Sequence, residues 1–176
     1  MTTSLVLTFL SHDKPGLVSA ISEKIAAAEG SWLESRLARL AGEFAGIVLI
    51  SVPDSNAPSL TAALHGLEEA GLRITVQRTT AAPPETSYRT LDLELLGQDR
   101  PGIVRDVTHA LSQLGANIEE FSSGIESAPF TGETMFRAAA RLRVPANVTT
   151  EDVQKILERL TEEMMVDLIS SENEDD

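Results

Sequence analysis

A six-residue motif occurs twice in this chain and constrains its fold more than any other feature. The segments "DKPGLV" and "DRPGIV" both read aspartate, basic residue, proline, glycine and two aliphatic residues, and they occupy residues 13–18 and 99–104. Each follows a run of alternating apolar residues, typical of a half-buried strand, and precedes apolar residues at helical spacing. A motif repeated 86 residues apart in a chain of 176 indicates two copies of one folding unit.

The apolar periodicity in each half predicts the order strand, helix, strand, strand, helix, strand. In the first half the expected elements are a strand over 4–11, a helix over 15–29, strands over 32–40 and 44–52, a helix over 57–70 and a strand over 72–79. In the second half they are a strand over 88–97, a helix over 101–114, strands over 117–123 and 133–144, a helix from Thr149 or Thr150 to 163 and a strand over 164–170. The motif proline is expected at the first helical position.

Two tandem domains of one α+β fold follow from this order. One hairpin between two helices is the split βαβ, or ferredoxin-like (βαββαβ), arrangement, in which a four-stranded antiparallel sheet carries two helices on one face. We expect the first domain over 1–80, a linker over 81–87 stiffened by adjacent prolines, the second domain over 88–170 and an acidic tail over 171–176. The face of each sheet that carries no helix has to pack against another surface. We therefore expect a homodimer.

The charge balance excludes several classes of function. Twenty-seven acidic residues against 14 basic ones give a net charge of −13. Proteins that bind nucleic acid directly neutralise phosphates with clustered Lys and Arg, so direct nucleic-acid contact is not expected. The chain has no cysteine, its three histidines lack metal-ligand spacing, and no apolar run has the length of a signal peptide or membrane span. We therefore expect a cytoplasmic protein without metal, cofactor or membrane contact.

The two units resemble the ACT-domain family of small regulatory modules that bind amino acids. This resemblance rests on the Asp-basic-Pro-Gly motif at the start of the first helix and covers about 4–80 and 88–170. The segments "ESRLARLAGEFAGIVLISVP" and "APFTGETMFRAAARLRVP" are similar to the glycine cleavage system transcriptional repressor family. The resemblance implies a regulator without catalytic activity that senses a small amino acid of the glycine or serine class. It also implies that the regulator modulates a DNA-binding transcription activator by protein–protein contact.

Each motif has the features of a site for a free amino acid. A helix start carries unpaired amides and partial positive charge, which suit a carboxylate, and the adjacent aspartate suits an ammonium group. A purely structural role is equally open, because aspartate caps helices and Pro-Gly forms turns. The predicted ligand-binding residues are Asp13, Lys14, Gly16, Leu17, Asp99, Arg100, Gly102, Ile103, Asn117 and Ile118.

Asn117 enters that set, with its neighbour Ile118, through the resemblance alone. In amino-acid-binding ACT domains, an asparagine at this place contacts the ligand across a domain or subunit interface. Aligning Gly30 with Gly115 places Trp32 at the equivalent position of the first unit. The resemblance therefore implies that the two units differ at this point.

Three classes of function can be compared with these features of the sequence. The leading prediction is an amino-acid-sensing regulator, and the alternative is a constitutive interaction module that no longer binds a ligand. An enzyme is not expected, because the chain lacks both a glycine-rich phosphate loop ending in Arg before a first helix and a nucleophile elbow.

Overall fold

Strands and helices alternate along the chain in the order that the apolar periodicity predicts. The structure is a computed structural model that describes residues 1–79, 87–128, 132–160 and 165–171. Three predicted segments fall wholly or largely outside those ranges: the linker over 81–87, the acidic tail over 171–176, and the end of the last helix over 161–163.

The first unit, Met1–Ala82, is built on one four-stranded sheet. Its elements are β1 (Thr2–His12), α1 (Leu17–Ala27), β2 (Ser31–Leu40), β3 (Glu43–Pro53), α2 (Ala57–His65), a 3-10 helix (Gly66–Ala70) and β4 (Arg73–Arg78). The strand order is β2-β3-β1-β4, with antiparallel neighbours throughout. A two-residue turn joins β2 to β3, and its residues Ala41 and Gly42 have φ of 50° and 84°, as a type I′ turn requires.

The second unit, Pro83–Asp176, repeats this architecture. Its elements are β5 (Tyr88–Gln98), α3 (Ile103–Gln113), β6 (Asn117–Ser127), β7 (Thr134–Pro145), α4 (Thr150–Glu158) and β8 (Met165–Ser171). The antiparallel strand order β6-β7-β5-β8 matches that of the first sheet. The predicted fold class, two ferredoxin-like βαββαβ domains in tandem, is confirmed.

Each unit has its own aliphatic core between the sheet and its helices. Alternate residues of the central strand point toward the helices and are at most 4% exposed, because a strand directs successive side chains to opposite faces. The core residues of the two central strands are Leu5, Leu7 and Phe9 in β1 and Leu91, Leu93 and Leu95 in β5. The opposite face of each sheet carries no helix of its own unit, and we call it the open face.

Several element boundaries differ from the sequence expectation. The helices after the motifs begin at Leu17 and Ile103, two residues beyond the prolines. The second helix of the first unit ends at His65 and tightens into the 3-10 turn before Gly71, whose φ of 88° ends it. β6 extends four residues further than predicted, to Ser127, because it pairs with β7 along its full length.

Candidate functional site

The two Pro-Gly pairs form type II turns and lie outside the helices. Gly16 has φ 89° and ψ 0°, and Gly102 has φ 84° and ψ 5°, the values of the third residue of such a turn. The prediction that proline is the first helical residue is therefore wrong. Glycine is needed in this conformation because a left-handed backbone costs a residue with a Cβ about 1–2 kcal/mol.

Both helices that follow the motifs start without a side-chain cap. α4 shows the contrast, since the hydroxyl of Thr149 accepts a hydrogen bond from the Asp152 amide at 3.1 Å and the Asp152 carboxylate accepts one from the Thr149 amide at 2.9 Å. The alternative interpretation of the motif aspartates as helix caps is thus wrong for both units.

The uncapped starts leave backbone amides available to a ligand. Within the described part of the chain, the amides of Gly16, Leu17 and Gly102 donate to no backbone carbonyl. The Ile103 amide donates to the carbonyl of Arg100 at 3.3 Å and closes its turn, so the prediction of a free amide is wrong there. The open amides lie at the positive end of the helix dipole, which suits a carboxylate. The side chains of Leu17 and Ile103 are buried in the cores and take no part in the candidate site.

The charged residues of the first motif anchor it to neighbouring turns. The amide of Asp13 donates to the Gly42 carbonyl at 2.9 Å, and its carboxylate accepts a hydrogen bond from Nε of Arg39 at 2.6 Å. Nζ of Lys14 donates to the carbonyl of Ala70 at 2.8 Å. An ammonium group that approached Asp13 would compete with Arg39.

In the second motif, the aspartate side chain has no partner among the residues that the structure describes. The amide of Asp99 donates to the Thr134 carbonyl at 2.9 Å, which repeats the tie between the first motif and its hairpin. The exposed Asp99 carboxylate, in contrast, makes no hydrogen bond or ion pair with any residue that the structure describes. Arg100 turns instead to α3, where its Nη1 lies 2.7 Å from Oδ2 of Asp106. Asp99 is therefore the better placed of the two aspartates to accept an ammonium group.

Two arginines hold the Asp106 carboxylate in its charged form. Arg100 donates to one oxygen, and Arg105 donates to the other through Nε at 3.0 Å and Nη2 at 2.9 Å. These hydrogen bonds, with that of Arg100 the larger cause, lower the pKa of Asp106 below its usual value. The sequence reasoning missed Asp106 and Arg39, because each meets its motif only through the fold.

Asn117 and the motif lie toward opposite ends of the second sheet. Asn117, the exposed first residue of β6, pairs with Arg143 of β7, which in turn pairs with Thr90 near the start of β5. The motif follows the end of β5, eight residues beyond Thr90 and thus about 26 Å away at 3.3 Å per residue. The structure does not bring Asn117 and the motif of one unit together around a small ligand.

The predicted equivalence of Trp32 with Asn117 is wrong by one residue. Each second strand has a β-bulge, which follows Trp32 in β2 and Ile118 in β6. Both of these side chains are partly buried against their cores. Ser31 is therefore the counterpart of Asn117, since each is the exposed first residue of its strand. The 86-residue offset between the motifs, applied to Asn117, gives the same answer.

Neither a metal-binding cluster nor a membrane-spanning helix is present among the described residues. No group of three or more His, Asp or Glu side chains there is arranged to hold a metal ion. No helix among them has both the length and the apolar character needed to cross a membrane.

Two repeated βαββαβ units, each opening its first helix with an Asp-basic-Pro-Gly turn, define a tandem regulatory-domain protein. Residues 3–77 and 92–163 each match the ACT domain, and the chain belongs to the ACT-domain family. It is similar to the glycine cleavage system transcriptional repressor of Escherichia coli K12, with 28% identity over 163 residues, 91% of this chain and 85% of the relative. The same protein of Shigella flexneri matches to the same extent.

Two solved structures share the whole architecture. An unknown protein from Galdieria sulphuraria is 31% identical, with a TM-score of 0.81 over 98% of this chain and 100% of that one. A structure named provisionally as a glycine cleavage system transcriptional repressor is 22% identical, with a TM-score of 0.70 over 97% of this chain and 99% of that one. Because the sequence identity is only 22%, this second structure supports the fold alone.

Replacing the motif glycine tests the backbone requirement of the turn. We expect Gly16→Ala to lower the free energy of unfolding by about 1 kcal/mol, because a Cβ there is strained by φ although it would meet no atom within 4 Å. Gly66→Ala is the matched control, since Gly66 is equally uncrowded but has φ −60°. It should be neutral or stabilising by about 0.5 kcal/mol. Equal losses for both variants in urea unfolding would contradict the turn assignment.

The Asp106 cluster predicts a pH-dependent contribution to stability. A carboxyl whose folded pKa is lowered stabilises the fold above its unfolded pKa, about 3.9, and this contribution is lost as the pH falls through the folded pKa. Asp106→Asn should therefore lower the urea midpoint at pH 7, with the gap to the unsubstituted protein closing toward pH 3. Asp99→Asn, which removes a carboxylate without a described partner, should leave the midpoint unchanged. A gap for Asp106→Asn that is as large at pH 3 as at pH 7 would rule out the assigned ion pairs.

Proposed function

We propose that this protein is an amino-acid-sensing regulator and that its ligand binds at a motif turn. The observation that carries the proposal is the uncapped helix start beside an aspartate, present once in each ACT domain. The similarity to a transcriptional repressor of the glycine cleavage system supports regulation rather than catalysis. It also favours glycine or serine as the class of effector.

The chemistry of the site matches the two ends of a free amino acid. The ligand carboxylate accepts hydrogen bonds from the open amides at the helix start, where the dipole favours negative charge. The ligand ammonium group donates to the motif aspartate, in a charge-assisted hydrogen bond. A small side chain leaves both contacts unobstructed, in agreement with the proposed effector class.

The second motif is the stronger of the two candidate sites. Asp99 has no competing cation among the described residues, whereas a ligand at Asp13 has to displace Arg39. The carboxylate of Asp106 at the second motif is neutralised by two arginines, so it repels a ligand carboxylate less. Asn117 joins such a site only where a second ACT domain supplies it, because it lies too far from the motif of its own unit.

The regulated target in this proposal is a DNA-binding transcription activator, and the contact is between proteins. A net charge of −13 disfavours direct contact with phosphates. Ligand binding changes the affinity for the target because the two equilibria are linked, so the target changes ligand affinity by the same factor.

Calorimetric titration with each of the twenty amino acids tests the site. We expect saturable binding of glycine or serine, and at least about tenfold weaker binding to Asp99→Ala, since a hydrogen bond to a charged group contributes about 1.5–3 kcal/mol. Glu151→Ala is the matched control, because it removes an exposed acid at the other end of the unit. The affinity of this variant for glycine or serine should be unchanged.

The other outcomes are equally decisive. Weaker binding to Asp13→Ala but not to Asp99→Ala would move the site to the first unit. If both variants keep full affinity, the helix-start site is wrong. Absence of heat with all twenty amino acids would favour an interaction module that no longer binds a ligand.

A further inference from the structure

The open face of the first sheet is apolar at its centre. Val6 of β1 and Leu49 of β3 are paired neighbours on this face. Ile47 and Leu10 flank them, with exposed fractions of 47% and 39%. Ile47 and Leu10 line a shallow hollow of about 590 Å³, together with Arg36 of β2 and Arg73 of β4. The first unit therefore presents an apolar patch that its own helices do not cover, bordered by the ion pair of Glu34 and Arg36 on β2 and by Arg73 on β4.

The equivalent face of the second sheet carries ion pairs. Asp92 takes the place of Val6, and its partner across the strands is Arg141, which takes the place of Leu49. Nε of Arg141 lies 3.0 Å from Oδ1 of Asp92, and Arg137 lies 3.9 Å from Glu94 on the same face. The two units share one fold, so the fold itself does not require an apolar open face. The apolar residues of the first sheet are thus explained by a contact that the second sheet does not make.

The two units also differ in net charge. Six basic and eight acidic residues give the first unit −2, whereas eight basic and 19 acidic residues give the second −11. Two first units can approach each other with little repulsion, but two second units cannot. The charge distribution thus favours association through the first unit.

We propose that the open face of the first sheet is the surface through which two copies of this chain associate, first unit to first unit. An apolar face is complemented by a second copy of itself, in the isologous contact that a two-fold dimer requires. The ion-paired face of the second sheet is a poor match, because covering charges with an apolar surface costs desolvation without new partners. The proposal concerns a surface separate from the motif turns and does not depend on amino-acid binding.

The size of the face sets the expected strength of the dimer. Four strands about 4.8 Å apart and about eight residues long present roughly 500 Å² per copy. Stable interfaces bury about 800 Å² per partner, so this one belongs at the weak end. We expect a reversible dimer with a dissociation constant of roughly micromolar order.

Sedimentation velocity of the full chain tests the proposal. The unsubstituted protein should change from monomer to dimer as its concentration rises from about 1 to 200 μM, around the expected constant. Ile47→Lys should weaken the dimer at least tenfold, because each copy would bury an unpaired charge. Ile169→Lys is the matched control, since Ile169 is 62% exposed on the open face of the second sheet, and it should leave the dimer unchanged. Circular dichroism confirms that both variants are folded.

A crosslinking experiment identifies the surface without changing its apolar residues. The chain has no cysteine, so Thr8→Cys places a single thiol on the open face of the first sheet. A bis-maleimide that spans about 10 Å, the spacing of two packed sheets, should link two copies of this variant. Ser122→Cys, on the open face of the second sheet, should not be linked.

Three results would overturn the proposal. A protein that stays monomeric at every concentration has no such interface. A dimer that Ile47→Lys leaves intact, or that Ile169→Lys weakens equally, associates through another surface. Crosslinking of Ser122→Cys in place of Thr8→Cys would assign the contact to the second unit.

Discussion

A left-handed glycine between strand and helix determines the local structure of both motifs. Because glycine stands where a serine, threonine or aspartate would otherwise cap the helix, the first amides have no side-chain partner. The preceding aspartate is fixed by its own amide, which donates to the hairpin at Gly42 in one unit and Thr134 in the other. The turn that joins strand to helix therefore also places an open amide end beside a carboxylate.

The two units keep this turn and differ in what surrounds it. In the first unit Arg39 neutralises the motif aspartate, and the open face of the sheet is apolar at its centre. In the second unit Arg100 bonds Asp106 and leaves Asp99 exposed, while ion pairs cover the open face. These differences are the basis of the proposed division of labour, in which the second unit binds the effector and the first brings two chains together.

The sequence predicts the fold well because period-2 strands and the repeated motif are local signals. It predicts the helix starts poorly, since Pro-Gly is compatible both with a first helical turn and with a type II turn. It misplaces Trp32 because the left-handed residue that follows α1 is Glu29, with φ 57°, where the second unit has Gly115, with φ 70°. Pairing Gly30 with Gly115 shifts the alignment by one residue. The prediction does not include Arg39 or Asp106. Strand pairing brings Arg39 to Asp13, and closure of the turn brings Asp106 to Arg100.

Amide shifts during a titration of the ¹⁵N-labelled chain with glycine and with serine test the central claim most directly. We expect saturable shifts that are largest at the open helix starts, above all at Gly102, with smaller effects at Gly16 and Leu17. Saturable shifts confined to other parts of the chain, with all three of these amides unmoved, would contradict it.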